Sequence, residues 1–147
     1  MITLPQLYEQ IESAARSGAI VLVEAPREEL TEAKDFLADS DALAFCQSLS
    51  VEKNKLTIKD LMAAVCYDLA VDCQQVKVPR DFQRFAMTFR QALTAARKPV
   101  LLVIDHAHEL SSSMLRDLPR LIQIAGNSSF TVMLMTEESD HETTEKL

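Results

Sequence analysis

The sequence predicts an α/β fold: a three-layer sandwich in which a parallel sheet lies between two layers of helices. Two observations predict it. Short continuous apolar runs, as in Ala19-Ile20-Val21-Leu22-Val23 and Val100-Leu101-Leu102-Val103-Ile104, have the character of strands covered on both faces. They alternate with longer segments whose apolar residues recur at helical spacing, and this alternation favours parallel strands joined by right-handed helical crossovers.

Taken in order, Thr3-Leu4-Pro5-Gln6 fits a capping box, with Ile2 and Leu7 as its hydrophobic staple. It opens a helix from about Leu4 to Arg16 that buries Leu7, Ile11, Ala14 and Ala15, and Gly18 closes it. The first strand follows, near residues 19–24. Glu28 to Ala38 has helix-forming composition, and a second strand of weak propensity is expected near 42–48. Thr57 caps a third helix that runs to about Ala70. Asp60 lies in its first turn, and Leu56 staples to Leu61.

Pro79 suits the start of a fourth helix, whose stripe is Phe82, Phe85, Ala86, Phe89, Leu93 and Ala96. These phenylalanines follow the helix period, so they are expected in the core and not as a base-stacking platform. Pro99 ends that helix, and the strand Val100 to Asp105 begins. A fifth helix, Ser112 to Ala125, turns Leu115, Leu118, Leu121 and Ile122 inward, with Pro119 expected to kink or tighten it and Gly126-Asn127 to end it. Phe130 to Met135 forms the last strand, with Met133 and Met135 in the core. Residues 137–147 form a polar tail.

No linker or repeat divides the chain, so residues 1–147 are expected to form one domain. With 48% hydrophobic and 25% charged residues, it carries enough apolar material for a core without disulfides or metal. The formal net charge of −7 counts against general affinity for nucleic acid or anionic membranes. There is no apolar stretch of about 18 residues, hence no expected membrane insertion. The N-terminus lacks the basic and apolar regions of a signal peptide. Cys46, Cys66 and Cys73 have no Cys-x-x-Cys spacing and read as reduced thiols of a cytoplasmic protein.

The residues that carry chemistry surround the third strand. Val100 to Asp105 is an apolar run ending in aspartate, and it continues Asp105-His106-Ala107-His108-Glu109-Leu110. That run, with Leu115-Arg116-x-Leu118 and the final apolar strand, resembles the AAA-type P-loop ATPases. The likeness is to the bacterial secretion and pilus-assembly ATPases of the ExeA/GspA and MshM type and the related domain of DamX. It is best from Lys98 to Met135 and extends more loosely back to Gly18. It implies a P-loop-NTPase-like AAA core, with spatial strand order second, third, fourth, first. It also implies an aspartate at position 105 that would help hold magnesium, followed by a water-polarising glutamate. Here the next residue is His106.

The same resemblance implies Gly-x-x-x-x-Gly-Lys-Ser/Thr after the first strand, a loop whose amides and lysine cradle phosphates. The chain instead reads Glu24-Ala25-Pro26-Arg27-Glu28-Glu29-Leu30-Thr31. Glu24 and Glu29 replace the glycines, Leu30 replaces the lysine, and Thr31 alone matches. Glutamate supplies positive φ poorly. Each carboxylate placed about 4 Å from a phosphate would cost roughly 1 to 4 kcal/mol.

These substitutions lead to an expected noncatalytic domain with no cofactor, acting on a protein partner or a second copy of itself. The alternatives are an ATPase completed by a partner and a DNA-associated clamp-loader or recombinase relative. Asp105 then reads as a strand-end or helix-capping carboxylate. His106, His108 and Glu109 read as a polar rim with no metal, since two histidines alone do not make a zinc site.

AAA cores usually continue into a fifth strand beside the first and then a lid. Thr136 to Leu147 is too short and polar to supply both, so the expected core lacks a lid. Ala19, Val21 and Val23 of the first strand are then expected at a sheet edge, open to a partner. Arg80 and Arg84, one helical turn apart, form a second candidate contact strip.

Overall fold

The computed structural model describes residues 4–47, 56–69, 82–126 and 129–137, with side chains from residue 9 onward. Its elements run α1 (Leu4–Ala15), β1 (Ile20–Ala25), α2 (Arg27–Ala38), β2 (Ala44–Gln47), α3 (Ile58–Leu69), α4 (Phe82–Ala95), β3 (Val100–Ile104), a 3-10 turn (Ala107–Glu109), α5 (Ser112–Ala125) and β4 (Phe130–Glu137). The box and staple expected at Thr3, Gln6, Ile2 and Leu7, the start of α4 at Pro79, Arg80, Cys73, and the tail beyond Glu137 lie outside the described residues or side chains.

All pairings are parallel, and the sheet order is β1-β4-β3-β2. This is the expected order, read from the other edge. β3 and β4 take the centre because they are the most apolar, and every residue of β3 is fully buried. Alternation splits their side chains between two cores. Leu101, Val103, Met133 and Met135 meet α1 and α2 through Ile11, Ala15, Leu30, Ala33 and Leu37. Val100, Leu102, Ile104, Phe130, Val132 and Leu134 meet α3, α4 and α5 on the other face. Phe89 anchors that second core, its ring edge-on to Phe130 at 5.4 Å between centroids.

The cap at Thr57 and the stop at Gly126 formed as expected. The Thr57 amide donates to Asp60 Oδ2 at 2.9 Å and the Asp60 amide to Thr57 Oγ1 at 3.2 Å, a reciprocal cap with aspartate in the place of the usual glutamate. Ser111 caps α5, accepting from the Met114 amide at 3.1 Å. Pro119 sits inside α5 on its exposed side, and the helix runs through it. Gly126 ends α5 with φ +69°, a conformation that suits glycine.

Three expectations need correction. β1 is not covered on both faces: Leu22 is 51% exposed and only Ala25 is fully buried. β1 is a lateral strand, and α5 on that face covers Ile20 but not Leu22. On α5, Met114 and Ala125 are fully buried while Leu115 and Ile122 are only partly so, which rotates the stripe slightly from the expected one. Phe82, expected in the core, is half-buried, and Lys59 and Arg120 stand over its ring at 6.0 and 5.0 Å.

Candidate functional site

The C-terminal ends of parallel strands are where open α/β sheets place their ligands. Here Ala25, Gln47, Asp105 and the Thr136-Glu137 pair stand at those ends. Asp105 is the hub. Its Oδ2 accepts from Lys34 Nζ at 2.8 Å and from the side-chain amide of Gln47. Lys34 comes from the middle of α2 and Gln47 from the end of β2, so one carboxylate ties together the second helix and two strands. It is a strand-end carboxylate and caps no described helix.

The segment expected as a loop, Glu24 to Thr31, is not one. Glu24 and Ala25 extend β1, Pro26 alone forms the junction, and α2 starts at Arg27. No residue between Glu24 and Thr31 has positive φ. Glu24 and Glu29 are exposed, and Leu30 is buried in the core beneath α2. The Thr31 hydroxyl donates back to the Arg27 carbonyl at 3.0 Å, a bond inside the helix. The physical reason is composition: Arg-Glu-Glu-Leu-Thr-Glu-Ala-Lys favours a helix, and proline at its threshold has the φ that starts one.

Between α2 and the strand ends lies a cleft of about 130 Å³, bounded by Arg27, Thr31, Lys34, Asp105, His106 and Glu137. Small-molecule pockets are larger, roughly 300–1,000 Å³. Arg27 leans toward Glu137 at 3.9 Å, with its side chain 83% exposed. Past Asp105 the chain turns sharply. His106 adopts the left-handed conformation, φ 51° and ψ 46°, and leads into the 3-10 turn. The His106 and His108 rings meet edge to face at 5.9 Å between centroids, and His108 Nε2 lies 3.9 Å from Glu109 Oε1.

Ala19 is exposed and immediately precedes β1, and Val21 and Val23 are half-buried on it. Among the described residues β1 pairs with β4 alone. Arg84 is exposed on α4, which packs with α3 and α5, so it does not adjoin β1.

Sequence reasoning missed Lys34 and Gln47 as partners of Asp105. It also missed Thr136, which is 1% exposed with a hydroxyl lacking a hydrogen-bond partner. Lys34 had a faint signal, standing one helical turn beyond Thr31. Beside the site, Cys46 and Cys66 are buried and free. Burial above all, with the charge of Asp68 and the neighbouring Cys66, pushes the Cys46 thiol up to about 12. Burial likewise raises Cys66. Neither is an activated nucleophile.

A sequence model of the AAA domain family matches residues 4–142. The chain belongs to the AAA domain family. Solved structures share the fold of this AAA domain. A chain in a structure of Drosophila ORC bound to DNA superposes with TM-score 0.60 at 19% identity, covering 92% of this chain and 37% of that one. One from Drosophila ORC bound to GC-rich DNA and Cdc6 gives 0.56 at 13% identity, covering 95% and 26%. Another, from the complex with AT-rich DNA and Cdc6, gives 0.54 at 12%, covering 92% and 48%. The AAA domain thus spans less than half the length of each. No curated protein matches it. No described helix is long and apolar enough to cross a membrane.

Proposed function

We propose that this AAA domain is a noncatalytic, single-domain module of the cytoplasm that works through protein contacts, as an adaptor, an inhibitor or a structural subunit. The observation that carries the reading is the junction at Pro26. Where a phosphate cradle needs a glycine loop, β1 passes through one residue into α2, with Leu30 buried and Lys34 turned to Asp105. Phosphates are held by backbone amides converging at a positive-φ loop and a helix N-terminus, with lysine neutralising charge. Here Glu28 and Glu29 occupy the first turn of α2 and oppose an anion there. The phosphate loop is degenerate in this reading, and magnesium has lost its carboxylate to an internal lysine.

Secretion, pilus-assembly or cell-envelope machinery is the setting that the resemblance to the ExeA/GspA, MshM and DamX group suggests. The contact surface is the outer edge of β1, first sought at Ala19, Val21 and Val23, where the backbone groups of Ile20, Leu22 and Glu24 are the ones turned outward, with the Arg80–Arg84 strip as a second candidate. The partner is another protein or a second copy of the chain.

Titration calorimetry with magnesium-ATP tests the proposal. No binding at millimolar nucleotide is expected, and no hydrolysis. Stoichiometric binding that disappears in Asp105→Ala overturns it and favours an ATPase completed by a partner, the reading that membership of the AAA family supports. A DNA-associated role draws support only from the DNA-bound structures that share the fold. Salt-dependent DNA binding would favour it, and the net charge of −7 counts against it.

A further inference from the structure

The geometry points to a divalent transition-metal site on the turn after β3, formed by His106, His108 and Glu109. One donor atom from each lies within 4.8 Å of the other two. Around a single zinc ion, with bonds of about 2.1 Å, tetrahedral donors stand about 3.4 Å apart. Closing the set therefore needs side-chain rotations of the order of an ångström, and His106 and Glu109 are exposed enough to make them.

The sequence offered a pair of histidines with Glu109 beside them, and the three read as a polar rim, since two ligands do not hold zinc. The third arrives through the backbone. His106 caps the 3-10 turn and Glu109 ends it, and the Glu109 amide closes the turn by donating to the His106 carbonyl at 2.9 Å. His108 enters from between them, its ring edge-on to that of His106.

A second observation lies in the backbone. Among the described residues only His106 and Arg97 have positive φ without being glycine. Such conformations carry a cost and concentrate at sites that use them. This one falls at His106, whose ring lies 5.9 Å from that of His108 between centroids.

Two imidazoles and a carboxylate form a borderline donor set, suited to zinc and its neighbours in the first transition row. Three protein ligands leave one position open to water or to a group from a partner. Magnesium is disfavoured, since it prefers an octahedron of oxygens. Asp105 does not join, because Lys34 already stands against its Oδ2 at 2.8 Å. The site is thus separate from the strand-end carboxylate and stands whether or not the domain binds nucleotide.

The test is titration of the chelator-stripped full chain with zinc chloride, followed by calorimetry and by the imidazole resonances of His106 and His108. One zinc per chain is expected, with both imidazoles shifted and a hundredfold excess of magnesium failing to compete. His106→Ala, at an exposed position, should weaken binding at least about tenfold, and Glu109→Gln by a smaller factor. His108 is half-buried, so His108→Ala is read only after its circular dichroism matches the parent chain. His141→Ala should leave affinity unchanged. Absence of stoichiometric zinc binding overturns the site. So does zinc binding that His106→Ala leaves intact, or that His141→Ala weakens as much as His106→Ala does.

Discussion

Lys34 Nζ and Asp105 Oδ2 stand 2.8 Å apart across the C-terminal ends of the sheet, although the two residues are 71 positions apart in the chain. Their side chains are 25% and 21% exposed, so the pair is screened less than a surface bridge. Gln47 supplies a second donor to the same oxygen.

Lys34→Met should therefore lower stability by about 1 to 2 kcal/mol, between the values for exposed and buried pairs. A double-mutant cycle with Asp105→Asn, followed by urea denaturation, should give a coupling of about 1 kcal/mol. Zero coupling would mean that the two charges do not support the fold together.

Phe89 is fully buried and meets Phe130 edge to face. Phe89→Ala should cost about 3 to 5 kcal/mol, from lost transfer energy and the cavity left behind. A loss under about 1 kcal/mol would mean that the α3–α4–α5 side of the sheet is loosely packed.

Thr57 caps α3 by accepting from the Asp60 amide, and it donates its own amide and hydroxyl to Asp60 Oδ2. Thr57→Ala should lower stability by about 1 kcal/mol, while Thr57→Ser should restore most of it. Denaturation midpoints of the three chains decide the matter.

These contrasts show what the sequence made legible. The Thr57–Asp60 cap, the Phe85, Ala86, Phe89 and Leu93 positions of the α4 stripe and the apolar strands β3 and β4 are written in residues a few positions apart, and each formed where expected. The meeting of Lys34, Gln47 and Asp105 depends on how three distant segments pack, and no local spacing records it. The exposure of Leu22 has the same origin. An apolar run signals a strand, but its place at the side of the sheet is a property of the whole topology. At Glu24 to Thr31 the departure from the pattern that the resemblance implies was plain in the sequence. The strand near 19–24 and the helical composition from Glu28 were equally plain, and only the junction between them, which closes on Pro26 alone, depended on the packing of α2 against the sheet.

Alkaline pH should expose the burial of Cys46. Its folded value, about 12, lies above the ordinary thiol value of 9.0. Above the ordinary value the unfolded chain releases this proton while the folded chain keeps it, so the unfolded state binds fewer protons and stability falls as pH rises. The contribution is complete below the ordinary thiol value and is lost on the way to about 12. Cys46→Ala should flatten that decline in urea titrations. In a Cys73→Ser chain, Cys46 and Cys66 should also resist a thiol reagent near neutral pH until denaturant is added.

Hydrogen exchange should divide the amides of β1 by parity. The Val132 amide donates to the Ala19 carbonyl at 3.1 Å, and Ile20 stands in register with Val132. In a parallel ladder this turns the amides of Val21, Val23 and Ala25 toward β4 and those of Ile20, Leu22 and Glu24 away. The first three should exchange slowly, and the second three rapidly in dilute solution. If all six are equally protected at a dilution where the chain is monomeric, the outer edge is already covered and is no open docking strand.

The lysine beside Asp105 has a consequence for timing. A metal-nucleotide pair arrives, is consumed and departs, and proteins built around one can be read as clocks. A cation carried on the chain's own helix never departs, and its local concentration is set by the tether. The arrangement of α2 against β2 and β3 is then fixed when the chain folds. On the noncatalytic reading proposed above, it keeps one setting through changes in the energy supply of the cell.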